Sequence, residues 1–311
     1  MRRPASSTVA PSLSTPSRRS VLRLGAAAPV ALALTGAAAA PSTGTAQATA
    51  RREDAIAALE RDYNTTIGLA AMNLHTGTRL AHRAGERFPM LSVFKVLAAA
   101  AVLRDHDVHG ETLDRRVWFP PADVLEYAPV AAEHVDTGMT VAQMCTAALQ
   151  LSDNTAGNLL LREIGGPRGL SAFARSLGDR ATRLDRWEPD LNTALPGDDR
   201  DTTTPAAIAR TFARLLVGHA LAPRDRRRLR AWMEDNQTSA DRFRAGLPEG
   251  WRLADKTGAG DYATNNDVGV AWTPSGTPVV IAALTRRDES DADRDNAVLA
   301  DIARLVVARL G

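Results

Sequence analysis

Ser92 and Lys95 stand three positions apart in the apolar stretch MLSVFKVLAA, residues 90–99. Of the 38 lysines and arginines in the chain only two are lysine, Lys95 and Lys256. A guanidinium stays protonated in any protein setting and is a wide planar fork. A lysine amine is compact and can lose its proton when buried. Two lysines kept against such an arginine bias point to amines that must titrate or fit a narrow space; the plain alternative is chance survival. Residues three apart on a helix share a face. Val93, Phe94, Val96, Leu97 and the alanines beyond make this helix apolar all round, hence buried. There, desolvation lowers the amine pKa and lets Lys95 accept the Ser92 proton. The positive end of the helix dipole favours negative charge developing on the serine. By itself Ser-x-x-Lys is a weak signal.

Two further clusters could join it. LSDNTAGN supplies Ser152, Asp153 and Asn154 between two helical segments, where all three types also serve as plain helix caps. DKTGAG places Lys256, Thr257, Gly258 and Ala259 on a strand. Lys256 there could be a solvated edge charge, but a glycine within a strand often marks close approach of another backbone or a ligand.

The elements that must hold these groups follow from pattern. RREDAIAALERDY reads as an amphipathic helix, and TTIGLAAMNL and TRLAHRA flank the hairpin signal HTG. From about Phe88 to Asn236 the pattern is helical, with a capping box at Thr140 and Gln143. Thr204 caps a helix that has Pro205 in its first turn and Gly218 beyond its end. APRDRRRLRAWMEDN reads as another helix. From Trp251 strands return in WRLADKTGAG, NNDVGVAWTP and TPVVIAALTR, the last two joined by SG; a final helix spans about Asp293 to Leu310. The predicted fold is α+β: one antiparallel five-stranded sheet built from both chain ends, terminal helices on one face, and an all-helical insertion. The expected division is a leader at 1–48, a sheet domain from 49–84 with 237–311, and a helical domain at 85–236. The latter includes a long loop, 183–201, whose RWEPDLNTALPGDDRD lacks periodicity; such loops are usually functional or disordered.

Taken together, Ser-x-x-Lys, Ser-Asp-Asn and Lys-Thr-Gly occur in that order and contain both lysines. The set resembles the class A serine β-lactamases and the related penicillin-binding proteins, over about residues 51–311. EPDLN separates the two groups: a glutamate and an asparagine at the spacing of Glu188 and Asn192 are similar to the class A pair that holds the hydrolytic water. The resemblance implies β-lactam hydrolysis through an acyl-enzyme on Ser92, and with it antibiotic resistance. Lys95, or Glu188 through a water, would take the serine proton. The backbone N–H groups of Ser92 and Ala259 would form the oxyanion hole. Ser152 would protonate the leaving nitrogen, and Asn154 would bind the substrate side-chain amide and Lys95. Tyr127 matches an aromatic beside the substrate; Lys256, Thr257 and Gly258 match the strand that carries it. Arg186 and Asp201 match the ion pair closing the family's loop, and Glu188–Pro189 a position often cis. One departure stands out. Many members carry an arginine on the next strand to bind the substrate carboxylate, where this chain has Asn265; Arg242 is the expected substitute, its plain reading being one more solvated cation.

Composition excludes other classes. The sequence pI near 9.0 belongs to residues 1–50, which hold five arginines and no acid; the remainder has 33 cations against 36 acids, a formal charge of −3, and no basic stripe for nucleic acid. SRRSVLRLGAAAPVALALTGAAAA reads as a twin-arginine export signal cleaved after Ala40 or Ala48, predicting a secreted protein without a stable membrane anchor. Cys145, the single cysteine, forbids an internal disulfide and reads as a buried apolar group. The six histidines lack zinc-hydrolase spacing, DHDVH at 105–109 reading as a solvated turn, so no metal and no cofactor are expected. The expected partners are a small-molecule β-lactam and a catalytic water, with the protein a monomer. Two other readings are a penicillin-sensitive D-Ala-D-Ala carboxypeptidase, against which Glu188 speaks, and a non-catalytic β-lactam sensor, expected to carry a membrane segment or fused effector.

Overall fold

The computed structural model describes residues 55–107 and 109–311. The predicted leader at 1–48 lies outside them. Helix α1 covers 55–62. Strands β1 (Thr66–Asn73) and β2 (Arg79–His82) form the predicted hairpin, with Leu69 opposite His82 and Met72 opposite Arg79. Its turn is closed by Asn73, whose Oδ1 accepts the N–H groups of His75 and Thr76, each at 3.0 Å. Gly77 completes it at φ +75°, a conformation that costs glycine nothing.

The middle of the chain is helical, as its periodicity requires. It runs through β3 (Phe88–Pro89), α2 (Phe94–Ala101), β4 (Arg116–Val117), β5 (Met139–Thr140), α3 (Val141–Gln150), α4 (Asn154–Glu163), α5 (Gly166–Ser176), β6 (Thr202–Thr203), α6 (Pro205–Leu216), α7 (Pro223–Glu234) and α8 (Phe243–Gly246). The two-residue strands only pin loops, pairing β3 with β6 and β4 with β5. The Thr140–Gln143 capping box opens α3, and Thr204 caps α6 ahead of Pro205. Every residue of α2 is buried, Lys95 included. It continues as a π turn over Val102–His106. The following DHDVH is not simply a solvated turn at the end of an exposed helix. Asp107 is buried, accepting the Leu113 N–H at 3.2 Å and facing Arg224 at 3.3 Å.

Strands β7 (Arg252–Ala259), β8 (Asn265–Trp272) and β9 (Pro278–Arg286) complete one antiparallel sheet of order β2-β1-β9-β8-β7. Both chain ends therefore meet in it: Thr66 lies opposite Arg286 and Asn73 opposite Val279. All eight residues of β8 are buried, as a strand covered on both faces demands. One face packs α1 and α9 (Ala297–Leu310) through Ile56, Ile302 and Val306 against Ile67, Leu69 and Ile281. The other packs the helical middle, where α2, α3 and α6 form a continuous core with Val268, Val280 and Leu284. Helix α9 starts at Ala297, four residues later than expected at Asp293. Asp295 Oδ1 accepts the Ala297 N–H at 2.8 Å, and the Asn296 side chain is held by Arg242. Among the described residues no helix is long and apolar enough to cross a membrane.

Candidate active site

The turn Leu91–Val93 introduces α2 and abuts β7. A Cβ on Gly258 would come within 2.8 Å of Leu91 Cβ and 3.4 Å of the Ser92 nitrogen, so the strand glycine does mark a close backbone approach. Two non-glycine residues here are left-handed, Leu91 at φ +55° and Ser152 at φ +59°. Such conformations cost roughly 1–3 kcal/mol each and persist only where surrounding packing over-determines them. Both position a serine hydroxyl.

The predicted groups converge. Lys95 Nζ donates to Ser92 Oγ at 2.9 Å, to Asn154 Oδ1 at 2.7 Å and to the Ser152 carbonyl at 2.8 Å. It lies 3.0 Å from Glu188 Oε1, and both side chains are fully buried. Ser92 Oγ reaches the same carboxylate oxygen at 3.3 Å. Lys256 Nζ donates to Ser152 Oγ at 3.0 Å, and Lys95 lies 3.4 Å from that hydroxyl, so Ser152 sits between the two amines. Burial pulls the Lys95 amine below its ordinary pKa, with the Glu188 charge opposing that shift. Burial pulls Lys256 down further, aided by the charges of Lys95 and Arg242. A guanidinium in either place would keep its proton.

A cleft of about 360 Å³ opens over this cluster. Ser92, Ser152 and Asn154 line it together with Thr257, Gly258 and Ala259 of β7, and Tyr127, Asn192 and Arg242 are among the other lining residues. Lys95, Glu188 and Lys256 sit behind this lining. Tyr127 is half exposed at 52% where it lines the cleft. Arg242 is 9% exposed, so it is not a solvated cation; it bonds Asn296 Oδ1 at 3.0 Å and the Asn266 carbonyl at 3.3 Å. Asn265 is buried and tied to the same Asn296 at 3.1 Å.

Glu188 comes from the long loop. That loop is closed by Arg186 Nε on Asp201 Oδ2 at 2.6 Å, while Asp201 Oδ1 accepts the N–H groups of Asp185 and Arg186. Glu188–Pro189 is cis. Asn192 Nδ2 donates to Glu188 Oε2 at 2.5 Å, and its own Oδ1 is buried with no protein partner among the described residues.

Sequence reasoning missed three contributors, Asn158, Thr238 and Arg294. Asn158 clamps the backbone of Glu188 from both sides, at 2.9 and 3.0 Å. Its signal was available, since it follows Asn154 by four positions on α4 and shares its face. Asp153 caps α4 through the Ala156 N–H and also accepts from Val130 and Ala131, so the plain cap reading holds for this member of Ser-Asp-Asn. Thr238, whose hydroxyl meets that of Thr257 at 2.5 Å, and Arg294, which bonds the Gly260 carbonyl at 3.3 Å, also line the cleft; nothing in their spacing marks them. Cys145 is buried with its thiol pKa pushed up by burial, which removes it as a nucleophile.

Two acids on the paired strands, Asp255 on β7 and Asp267 on β8, are buried near one another, and the Oδ1 atom of each has no hydrogen-bond partner among the described residues. Asn236 donates to Asp255 at 3.1 Å, the Phe243 N–H to Asp267 at 3.2 Å, and Arg244 stands 3.5 Å from Asp255. Burial raises both carboxyls, Asp267 well above its ordinary range with the Asp255 charge adding to the effect. The folded pair therefore holds a proton that unfolded carboxyls, at about pKa 3.9, release. Its stabilisation is complete below about pH 4 and declines as pH rises through the folded pKa, by up to ~1.4 kcal/mol per unit. Urea midpoints of the wild type should fall relative to Asp267→Asn, which supplies the donor without a titrating proton, as pH rises from 4. Parallel profiles for the two proteins would refute the raised carboxyl.

A serine hydroxyl held between an amine able to titrate and a carboxylate, with a second serine between two amines, can perform acyl transfer to a hydroxyl followed by hydrolysis. The profile of the Beta-lactamase enzyme family matches residues 51–310. The chain is 53% identical to a β-lactamase of Streptomyces fradiae over 296 residues, 94% of this chain and 96% of that one. It is 48% identical to β-lactamase AST-1 of Nocardia asteroides, covering 93% and 96%. Its fold matches the β-lactamase of Streptomyces albus G with a TM-score of 0.82 at 51% identity, over 84% of this chain and all of that one. It matches an ancestral (GNCA) class A β-lactamase with a TM-score of 0.80 at 50% identity, over 83% and 99%. The chain belongs to the β-lactamase enzyme family, as a class A serine enzyme that hydrolyses the β-lactam amide bond and so confers resistance.

Proposed function

We propose that Ser92 is the nucleophile of this hydrolysis and that Glu188 and Asn192 are its water-handling pair. The observation that carries the reading is Ser92 Oγ lying 2.9 Å from Lys95 Nζ and 3.3 Å from Glu188 Oε1 in one buried cluster. Ser92 attacks the lactam carbonyl as its proton passes to Lys95, whose amine burial has already made easier to neutralise. Fixed donors stabilise the oxyanion, each backbone N–H of the kind offered by Ser92 and Ala259 being worth about 2.7–4 kcal/mol. Ser152, poised between Lys95 and Lys256, hands a proton to the ring nitrogen. Glu188 then deprotonates a water that the unpartnered Asn192 Oδ1 can hold, releasing the acid. Sustained nitrocefin turnover by the isolated protein, abolished in Ser92→Ala, is the expected result. A single stoichiometric burst from the wild type would instead favour the carboxypeptidase or sensor reading.

Lys256, Thr257 and Arg242 hold the substrate carboxylate, with Asn154 and Tyr127 along its side chain. Charge-assisted contacts of this kind are worth about 1.5–3 kcal/mol, so Arg242→Ala should raise KM roughly 10–100-fold with a smaller change in kcat. A substrate whose carboxylate is esterified should not distinguish wild type from variant. If it does, Arg242 acts by supporting the strands rather than by binding charge.

The protein is exported by the twin-arginine route, cleaved after Ala40 or Ala48, and acts as a monomer without an anchor. What supports this is the SRRSVLRLG leader with its short apolar run and small residues. Residues 49–84 with 237–311 form one domain and 85–236 the other. The site draws Lys256 and Arg242 from the first and Ser92, Ser152 and Glu188 from the second.

A further inference from the structure

Away from the cleft, a cavity of about 350 Å³ opens between the outer edge of the sheet and α6. No residue that lines it also lines the catalytic cleft. Its walls follow from strand register. Met72 lies opposite Arg79 on β2 and Val280 on β9, and Ala70 lies opposite Ala81 two residues along, on the same face. Helix α6 lies over that face and contributes Ala206, Ala209 and Ala213, spaced as one helical stripe. Alanine faces alanine across the layer, so the two surfaces leave a space that larger side chains would fill. At the rim stand Arg79, Arg210 and Arg214, the last two neighbours four apart on α6. All three are exposed. No carboxylate lines the cavity. Among the described residues none of the three arginines is in an ion pair.

We infer that this cavity binds a single-chain amphiphile with a carboxylate head, its alkyl chain lying among the alanines and its head on the rim arginines. The volume falls in the range of small-molecule sites, roughly 300–1,000 Å³, and the apolar wall with a few placed polar groups is their usual chemistry. Guanidinium forks match a carboxylate in two-bond geometry. A β-lactam fits poorly, because its amides would be buried against methyl groups with nothing to bond. A cationic amphiphile meets three like charges.

The test is calorimetric titration of the full chain with decanoate below its micelle-forming concentration. One saturable site per chain is expected. Arg79→Ser combined with Arg210→Ser should weaken it roughly fivefold or more, two exposed charge contacts being lost. Ala213→Leu, a good helix former that fills the space, should remove binding while nitrocefin turnover stays at the wild-type rate. Ala81→Leu blocks the same space from the edge strand and serves if Ala213→Leu unfolds by circular dichroism. Decyltrimethylammonium should give no saturable heat. Absence of a decanoate site, equal binding of the cationic amphiphile, or binding untouched by a folded blocking variant each overturns the inference.

Discussion

Glu188→Ala should accumulate a covalent acyl-enzyme: one equivalent of β-lactam ring opened in a burst and kept whole as the Ser92 ester, then turnover slowed by roughly 10²–10⁴-fold, the usual contribution of a positioned general base. The geometry separates the two half-reactions. Glu188 Oε1 faces Ser92 and Lys95, while Oε2 faces Asn192. Removing the carboxylate deletes the water-handling side outright. On the other side it removes the charge that opposes the desolvation shift of Lys95. The buried amine is then neutral at lower pH and a readier acceptor for the Ser92 proton. Acylation should persist, and mass spectrometry of a quenched reaction should show the intact adduct. Loss of the burst, with no adduct on Ser92, would assign Glu188 to acylation as well; unimpaired steady-state turnover would remove it from the mechanism.

Lys95→Arg should abolish rapid acylation, by about 10²–10⁴-fold in single-turnover rate, although the charge is conserved. A guanidinium cannot give up its proton to become a base. It must also fit where α4 presses on the lysine stem: a Cβ on Gly157 would lie 2.7 Å from Lys95 Cε. Overpacking of this kind costs roughly 1–3 kcal/mol, to be read as a lower melting temperature. Lys95→Met distinguishes the two effects, since it keeps an unbranched stem and removes the proton acceptor. It should be as slow as the arginine variant. Near-wild-type acylation in the arginine variant alone would make Lys95 a structural cation, and in either variant it would leave the base role to Glu188.

The fold was legible where local rules are strong. Period-two and helical patterns, the Thr140–Gln143 box and the Thr204–Pro205 start all marked true elements. So was the existence of a site, because the only two lysines of an arginine-rich chain fell inside Ser-x-x-Lys and Lys-Thr-Gly, the first of them in an apolar run. What was not legible depends on tertiary proximity. Asp255 and Asp267 read as ordinary strand residues until β7 and β8 pair and bury them together. Arg294 and Thr238 come to the cleft only through the turn before α9 and the loop after α7. Asp107 looked like part of a solvated turn because its partner, Arg224, is far away in the chain. The start of α9 was misplaced for a similar reason, since Asn296 is engaged by Arg242 from another segment.

Strand β1 has its longest partner in β9, with Thr66 opposite Arg286. A nascent polypeptide must therefore carry its first hairpin unmatched until nearly the whole chain has emerged, since only then can the closing ladder zip. Premature termination anywhere before Pro278 leaves β1 without that neighbour. Slow, late acquisition of activity during synthesis is the expected signature of so distant a pairing.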